Sequence, residues 1–144
     1  MYTSLAPIVG WTVLIAILAL ALLKGGLSER YGVVIVLLGA AFAVLTHMFV
    51  PTALQSMLLL AGEGAMGAGF LLLALRYASP WLGGAMLFQA VQFSLHAYYL
   101  VGELPRDHLY AVINNLDTLG VLACILLGTL LAWRKRTRLA KKLP

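Results

Sequence analysis

Charge is what this chain has least of. Only 10% of its 144 residues are Asp, Glu, Lys or Arg, and just five are acidic. A soluble domain of this length would need a charged exterior around its core. With 62% hydrophobic residues and a mean hydropathy of +0.98, the expected exterior is lipid, and the chain reads as one polytopic membrane domain. Cysteine is nearly absent too. Cys124 stands alone, which excludes an intramolecular disulfide and any multi-cysteine metal site. No Lys or Arg precedes Lys24, so the first apolar stretch lacks the basic start of a secretory signal and is read as a retained helix. The GxSxG elbow, the Walker loop, HExxH and His-x-x-x-His pairs are all missing.

What is present is a succession of apolar runs. A membrane-spanning helix needs about 20 apolar residues, and five stretches approach or exceed this: Pro7–Leu23, Tyr31–Val50, Thr52–Tyr77, Pro80–Val101 and Leu109–Trp133. Pro51 separates the second from the third, since proline lacks the amide proton that a continuing helix requires. Gly25–Gly26, Ser79–Pro80 and Gly102–Pro105 mark the other breaks. The expected fold is an all-α transmembrane bundle over residues 1–133, followed by a basic tail over 134–144. Five spans place Lys24, Arg30, Arg76 and the tail on one side and leave Arg106 alone on the other. Basic residues are retained in the cytoplasm, so the N-terminus is expected outside and the C-terminus inside. A four-span alternative makes the second and third stretches a re-entrant hairpin and leaves that charge bias unchanged. The net charge of +5 is thus read as membrane orientation rather than nucleic-acid binding.

The fourth stretch organises the rest. Gln89, Gln92, His96, Tyr99 and Glu103 recur along one side of an otherwise apolar helix, and in hydrocarbon such a stripe must face protein or water. Depth can be estimated from each residue's distance to its loop. His47, His96, Tyr99, Asn114 and Asp117 fall in the outer part of the bundle, whereas Glu63, Gln89 and Gln92 lie near the midplane. The expectation is a polar vestibule, open on the periplasmic side and narrowing to Glu63. On the fifth helix Tyr110, Asn114, Asp117, Val121, Cys124 and Gly128 share one face. Asp117 has a second reading, as the N-cap of a shorter helix starting at Thr118. Glu63 also has two: a proton or cation site, or a protonated carboxyl bonded to Gln89 or Gln92. Beside it Ala61, Ala65 and Gly69 form a small-xxx-small row suited to close helix packing.

His47 and His96 raise the alternative of a b-type haem held between helices. Two lone histidines on separate spans are thin support for it, and the chain is read as free of cofactor and metal. A His96–Asp117 acid–base pair would lack a nucleophile, because Ser94 points off the stripe and Cys124 lies deeper, so no catalytic residue is assigned. Arg134, Lys135, Arg136, Arg138, Lys141 and Lys142 form a tail that an anionic lipid surface attracts, at roughly 1 kcal/mol per basic residue.

Two segments, LLKGGLSERYG and FQAVQFSLHAYYL, carry a resemblance. Through Gly25, Gly26, Glu29, Arg30, Phe88, Gln89 and His96 the chain resembles a set of small, functionally uncharacterised alphaproteobacterial inner-membrane proteins. These carry a GGxxER-type first loop and an FQ…H-type later helix. The resemblance implies a bacterial inner membrane and brings no activity with it. Two roles are expected to compete. The first is a non-enzymatic accessory subunit of a larger membrane assembly, in contact with lipid and with a membrane-protein partner or further copies of itself. The second is a protein that binds or moves a small solute, proton or cation through the vestibule to Glu63.

Overall fold

A computed structural model of the chain describes residues 6–141; Lys142, counted above with the basic tail, lies outside the described residues. Those residues form five α-helices and no strand: α1 Ala6–Lys24, α2 Leu27–Phe49, α3 Thr52–Tyr77, α4 Pro80–Val101 and α5 His108–Ala140. α2, α3 and α5 are each long and apolar enough to cross a membrane. α4 has the length, at 22 residues, but its polar stripe dilutes its hydropathy.

Local chemistry sets the helix ends. The Gly25 amide closes the last turn of α1 on the Ala21 carbonyl at 2.8 Å. α2 starts four residues before the apolar run does, because buried Glu29 reaches back 2.8 Å to accept from the Gly26 amide and satisfies a donor the helix leaves free. Pro51 breaks the chain between α2 and α3, and the Gln55 side chain ties that turn to the Val50 carbonyl at 2.9 Å. α3 ends in a left-handed residue, Ala78, followed by Ser79 and Pro80. α5 begins at His108, capped by Asp107, and runs beyond Trp133 to Ala140, so most of the basic tail continues the helix. Its Lys, Arg, Leu and Ala residues are good helix formers, with no Gly or Pro between Trp133 and Ala140 to stop them.

Each helix packs against its chain neighbours, and α5 returns to α1 to close a ring. Across the ring the backbones of α2 and α5 approach each other, and the Trp81 side chain of α4 reaches α2. The buried apolar residues gather at the end nearest Lys24, Arg30 and Arg76: Leu18 and Ala21 of α1, Val33 and Val36 of α2, Phe70 of α3, Leu82 and Ala85 of α4, and Leu122 and Ile125 of α5. Trp81 is their centre. Its indole lies between Gly32 of α2 and Gly128 of α5, and a Cβ at either glycine would stand 2.7 or 2.5 Å from the ring. Phe70 meets it edge-on, with ring centroids 6.4 Å apart. One side chain at the start of α4 thereby joins three other helices.

The outer surface is the reverse of a soluble protein's. Leu38 (65% exposed), Leu72 (67%), Leu87 (72%) and Val101 (84%) are among many large apolar residues facing outward on every helix. An apolar surface of this extent suits lipid rather than water. The polar seam accordingly turns inward, into the half of the bundle remote from the Trp81 core.

Candidate functional site

The seam is assembled from three helices. Near the middle of α3, Glu63 accepts from the Gln89 side-chain amide of α4, and the same amide also reaches the Glu63 carbonyl at 3.3 Å. Gln92, one turn along α4, donates to the other Glu63 oxygen at 3.3 Å and to Asn114 Oδ1 of α5 at 3.1 Å. His96, a further turn along, brings Nδ1 to 3.8 Å from Glu63 Oε1, and its ring lies 5.5 Å from that of Tyr110. Spacings of three and four residues put Gln89, Gln92 and His96 on one face of α4, so the order of these contacts follows from the sequence.

These bonds leave groups without partners. The Gln89 amide nitrogen faces two acceptors, which fixes the orientation of the side chain and leaves its Oε1 buried without a hydrogen bond. His96 Nδ1 and Asp117 Oδ2 are likewise buried and unbonded. A buried polar atom without a partner costs about 1–3 kcal/mol, and native proteins rarely leave one unless water or a ligand serves it.

Beside the seam lies a cavity of about 370 Å³, within the range of small-molecule sites. Glu63, Gln89, Gln92, His96 and Asn114 line its polar side, and Val36, Ala40, Met66 and Val121 are among the apolar residues opposite. His47 sits exposed at its rim. Glu63 and Gln89 also border a shallower groove of about 320 Å³ between α3 and α4, at Gly64 and Gly67.

Two of the expected residues lie elsewhere. Asp117 is buried inside α5 and does not line the cavity; the cap of that helix is Asp107, ten positions earlier, so Asp117 is no cap. Tyr99 donates to Asp107 at 2.8 Å and lines a smaller recess of about 220 Å³ with Ser56, Glu103 and Arg106. Arg106 is the residue that sequence reasoning missed. It served there only to set orientation, yet it lines both the cavity and the recess, donates to Ser56 Oγ at 3.2 Å and stacks over Tyr110 at 5.3 Å. The available signal was its isolation as the one basic residue on its side of the chain.

The remaining candidates can be placed as follows. Gly69 packs against Ile35 of α2, whereas Ala61 and Ala65 stay exposed along an apolar groove between α2 and α3. In the tail, Arg136 donates to the Lys24 carbonyl at the end of α1, and the Lys24 ammonium lies over the Trp133 ring, while Arg134, Lys135, Arg138 and Lys141 are exposed. His47 and His96 border one cavity, and among the described residues no group of three His, Cys, Asp or Glu side chains is arranged to hold a metal ion. Gly62, Gly64 and Gly67 have the GxGxxG spacing of a dinucleotide-binding loop, but they lie inside α3, with no preceding strand and no helix N-terminus at which a phosphate would sit.

Asp107 holds the loop above the cavity. The Tyr110 amide and the Tyr99 hydroxyl both donate to its carboxylate and keep its pKa below the ordinary value of 3.8. A lowered pKa gives a contribution that is complete above the ordinary value and lost as pH falls through the lower one. Asp107→Ala is expected to make the Gly102–Arg106 loop several-fold more sensitive to protease at neutral pH, and the unmutated loop should loosen in the same way only in strong acid.

No protein-family model matches this chain, and no curated protein or solved structure is significantly similar to it. Function is therefore read from the site alone.

Proposed function

We propose that this chain is a five-span bacterial inner-membrane protein that holds a small polar solute in the cavity beside Glu63. The observation that carries the reading is the cavity wall itself. Gln89 Oε1 is buried without a hydrogen bond, and His96 Nδ1 has only the Glu63 carboxylate 3.8 Å away, on side chains that line a space large enough for a guest. A seam serving packing alone would close its own hydrogen bonds. The positive-inside bias supports an N-terminus outside and a C-terminus in the cytoplasm, an orientation in which the cavity opens outward.

The accessory-subunit role keeps one observation in its favour, the open apolar groove between α2 and α3, where Ala61 and Ala65 remain exposed. That role predicts a heteromeric complex rather than an occupied cavity.

Water access separates the two. Thr118 lines the cavity and its hydroxyl bonds only to the Asn114 carbonyl of its own helix, so a thiol there disturbs little. In a Cys124→Ala background, Thr118→Cys is expected to react in intact cells with a charged, membrane-impermeant thiol reagent. An unreactive thiol, or one that reacts only from the cytoplasmic side, contradicts the outward-facing cavity.

A further inference from the structure

We infer that the solute is dipolar, with an ammonium group seated at Glu63 and an anionic group at Arg106, the two separated by several carbon atoms. This rests on the cavity reading above and names the class of guest.

The deep end of the cavity is set by Glu63, the one acidic residue of its lining. Its carboxylate is held by amide donors, Gln89 Nε2 on one oxygen and Gln92 Nε2 on the other, and Gln92 is in turn tied to Asn114. Among the described residues no Lys or Arg lies within ion-pair distance of it, and the His96 ring nitrogen is 3.8 Å away. A carboxylate seated there would meet a like charge. An ammonium supplies both the opposite charge and three donors.

The mouth has the opposite character. Among the described residues no carboxylate lies within ion-pair distance of Arg106. Its contacts are the Ser56 hydroxyl and the Tyr110 ring, which leaves most of its five donors free over the cavity. A simple cation would have to pass this guanidinium unaided. A guest with an anionic end is held by it.

The spacing sets the length. Arg106 is bonded at the level of Ser56, and Glu63 lies seven residues further along α3, a rise of about 10 Å. Two ionic hydrogen bonds of about 2.8 Å each take up more than half of it and leave about 5 Å between the guest's own charged groups. A chain of two or three methylenes is suited to that gap.

The test uses the full-length protein in lipid nanodiscs and four probes: 4-aminobutanoate, butylamine, butanoate and 6-aminohexanoate. Calorimetry is expected to show 4-aminobutanoate binding at least about ten-fold more tightly than the other three, a difference of about 1.4 kcal/mol. Arg106→Gln should reduce its affinity to that of butylamine, and Glu63→Gln should reduce it to that of butanoate. Equal binding of butylamine and 4-aminobutanoate, or no effect of Arg106→Gln, overturns the dipolar assignment and leaves the cavity reading standing. The dipolar assignment is overturned in the same way if no probe binds while the thiol of the Thr118→Cys protein is labelled from outside. If that thiol is not labelled, the cavity reading itself fails and takes this inference with it.

Discussion

Trp81→Ala is expected to destabilise the bundle by about 3 kcal/mol, the largest effect of any single truncation of a buried side chain here. The indole fills the space between Gly32 and Gly128 and meets Phe70 edge-on, so its removal opens a void bordered by α2, α3 and α5 together. In lipid the transfer of apolar surface from water contributes little to helix association, and close packing carries most of the energy. For that reason the expected cost lies at the lower end of values for aromatic truncations in soluble cores. Trp81→Phe should cost only about 1 kcal/mol, because the indole Nε1 makes no hydrogen bond that phenylalanine would forfeit. Unfolding of the detergent-solubilised protein by SDS titration measures both. Equal costs for the two variants would mean that the ring volume is not what joins the four helices.

Glu63 gives the second large effect, and its two variants separate structure from charge. Glu63→Leu leaves the Gln89 and Gln92 amides facing a hydrocarbon side chain, with an expected cost of about 2 kcal/mol. Measured interhelical hydrogen bonds in membranes are often worth less than this, and part of the loss will be recovered by water in the adjoining cavity. Glu63→Gln keeps the size and an acceptor oxygen, and its stability should stay within about 1 kcal/mol of the unmodified protein. Solute retention should behave differently. Removing one member of a buried charge pair costs about 2–5 kcal/mol of binding, so either variant should lower affinity for the cavity's guest by at least about 30-fold. A folded Glu63→Gln protein that retains its guest at full affinity would place the recognition elsewhere.

Much of this arrangement is legible in the sequence because proline, glycine and polar periodicity are strong local signals. The bounds of α3 and α4 coincide with the apolar runs between Pro51, Ser79 and Gly102. The polar face of α4 follows from the spacing of Gln89, Gln92 and His96, and its partner Glu63 follows from the scarcity of midspan acid. Where the reading falls short, competing local signals needed a tertiary contact to rank them. Asp107, Asn114, Asn115 and Asp117 are all good cap residues, and propensity cannot choose between them. The bond from Tyr99, one helix away, helps to hold Asp107 at the start of α5. In AGEGAMGAG small residues surround the whole helix, so the face that meets α2 is not encoded by the pattern. Gly62 and Gly69 approach Phe42 and Ile35, and Ala61 and Ala65 turn outward. The place of Arg106 at the cavity is not legible in the sequence, because a loop residue carries no periodicity. Only the path of the chain from α4 to α5 brings it over the cavity.

Native mass spectrometry of the protein, gently extracted from its own membrane, tests the central claim most directly. The expected result is a species carrying one additional small mass per chain, present on the unmodified protein and absent from folded Glu63→Gln protein. A bare chain in both preparations, or a heteromeric complex with no small mass, would contradict it.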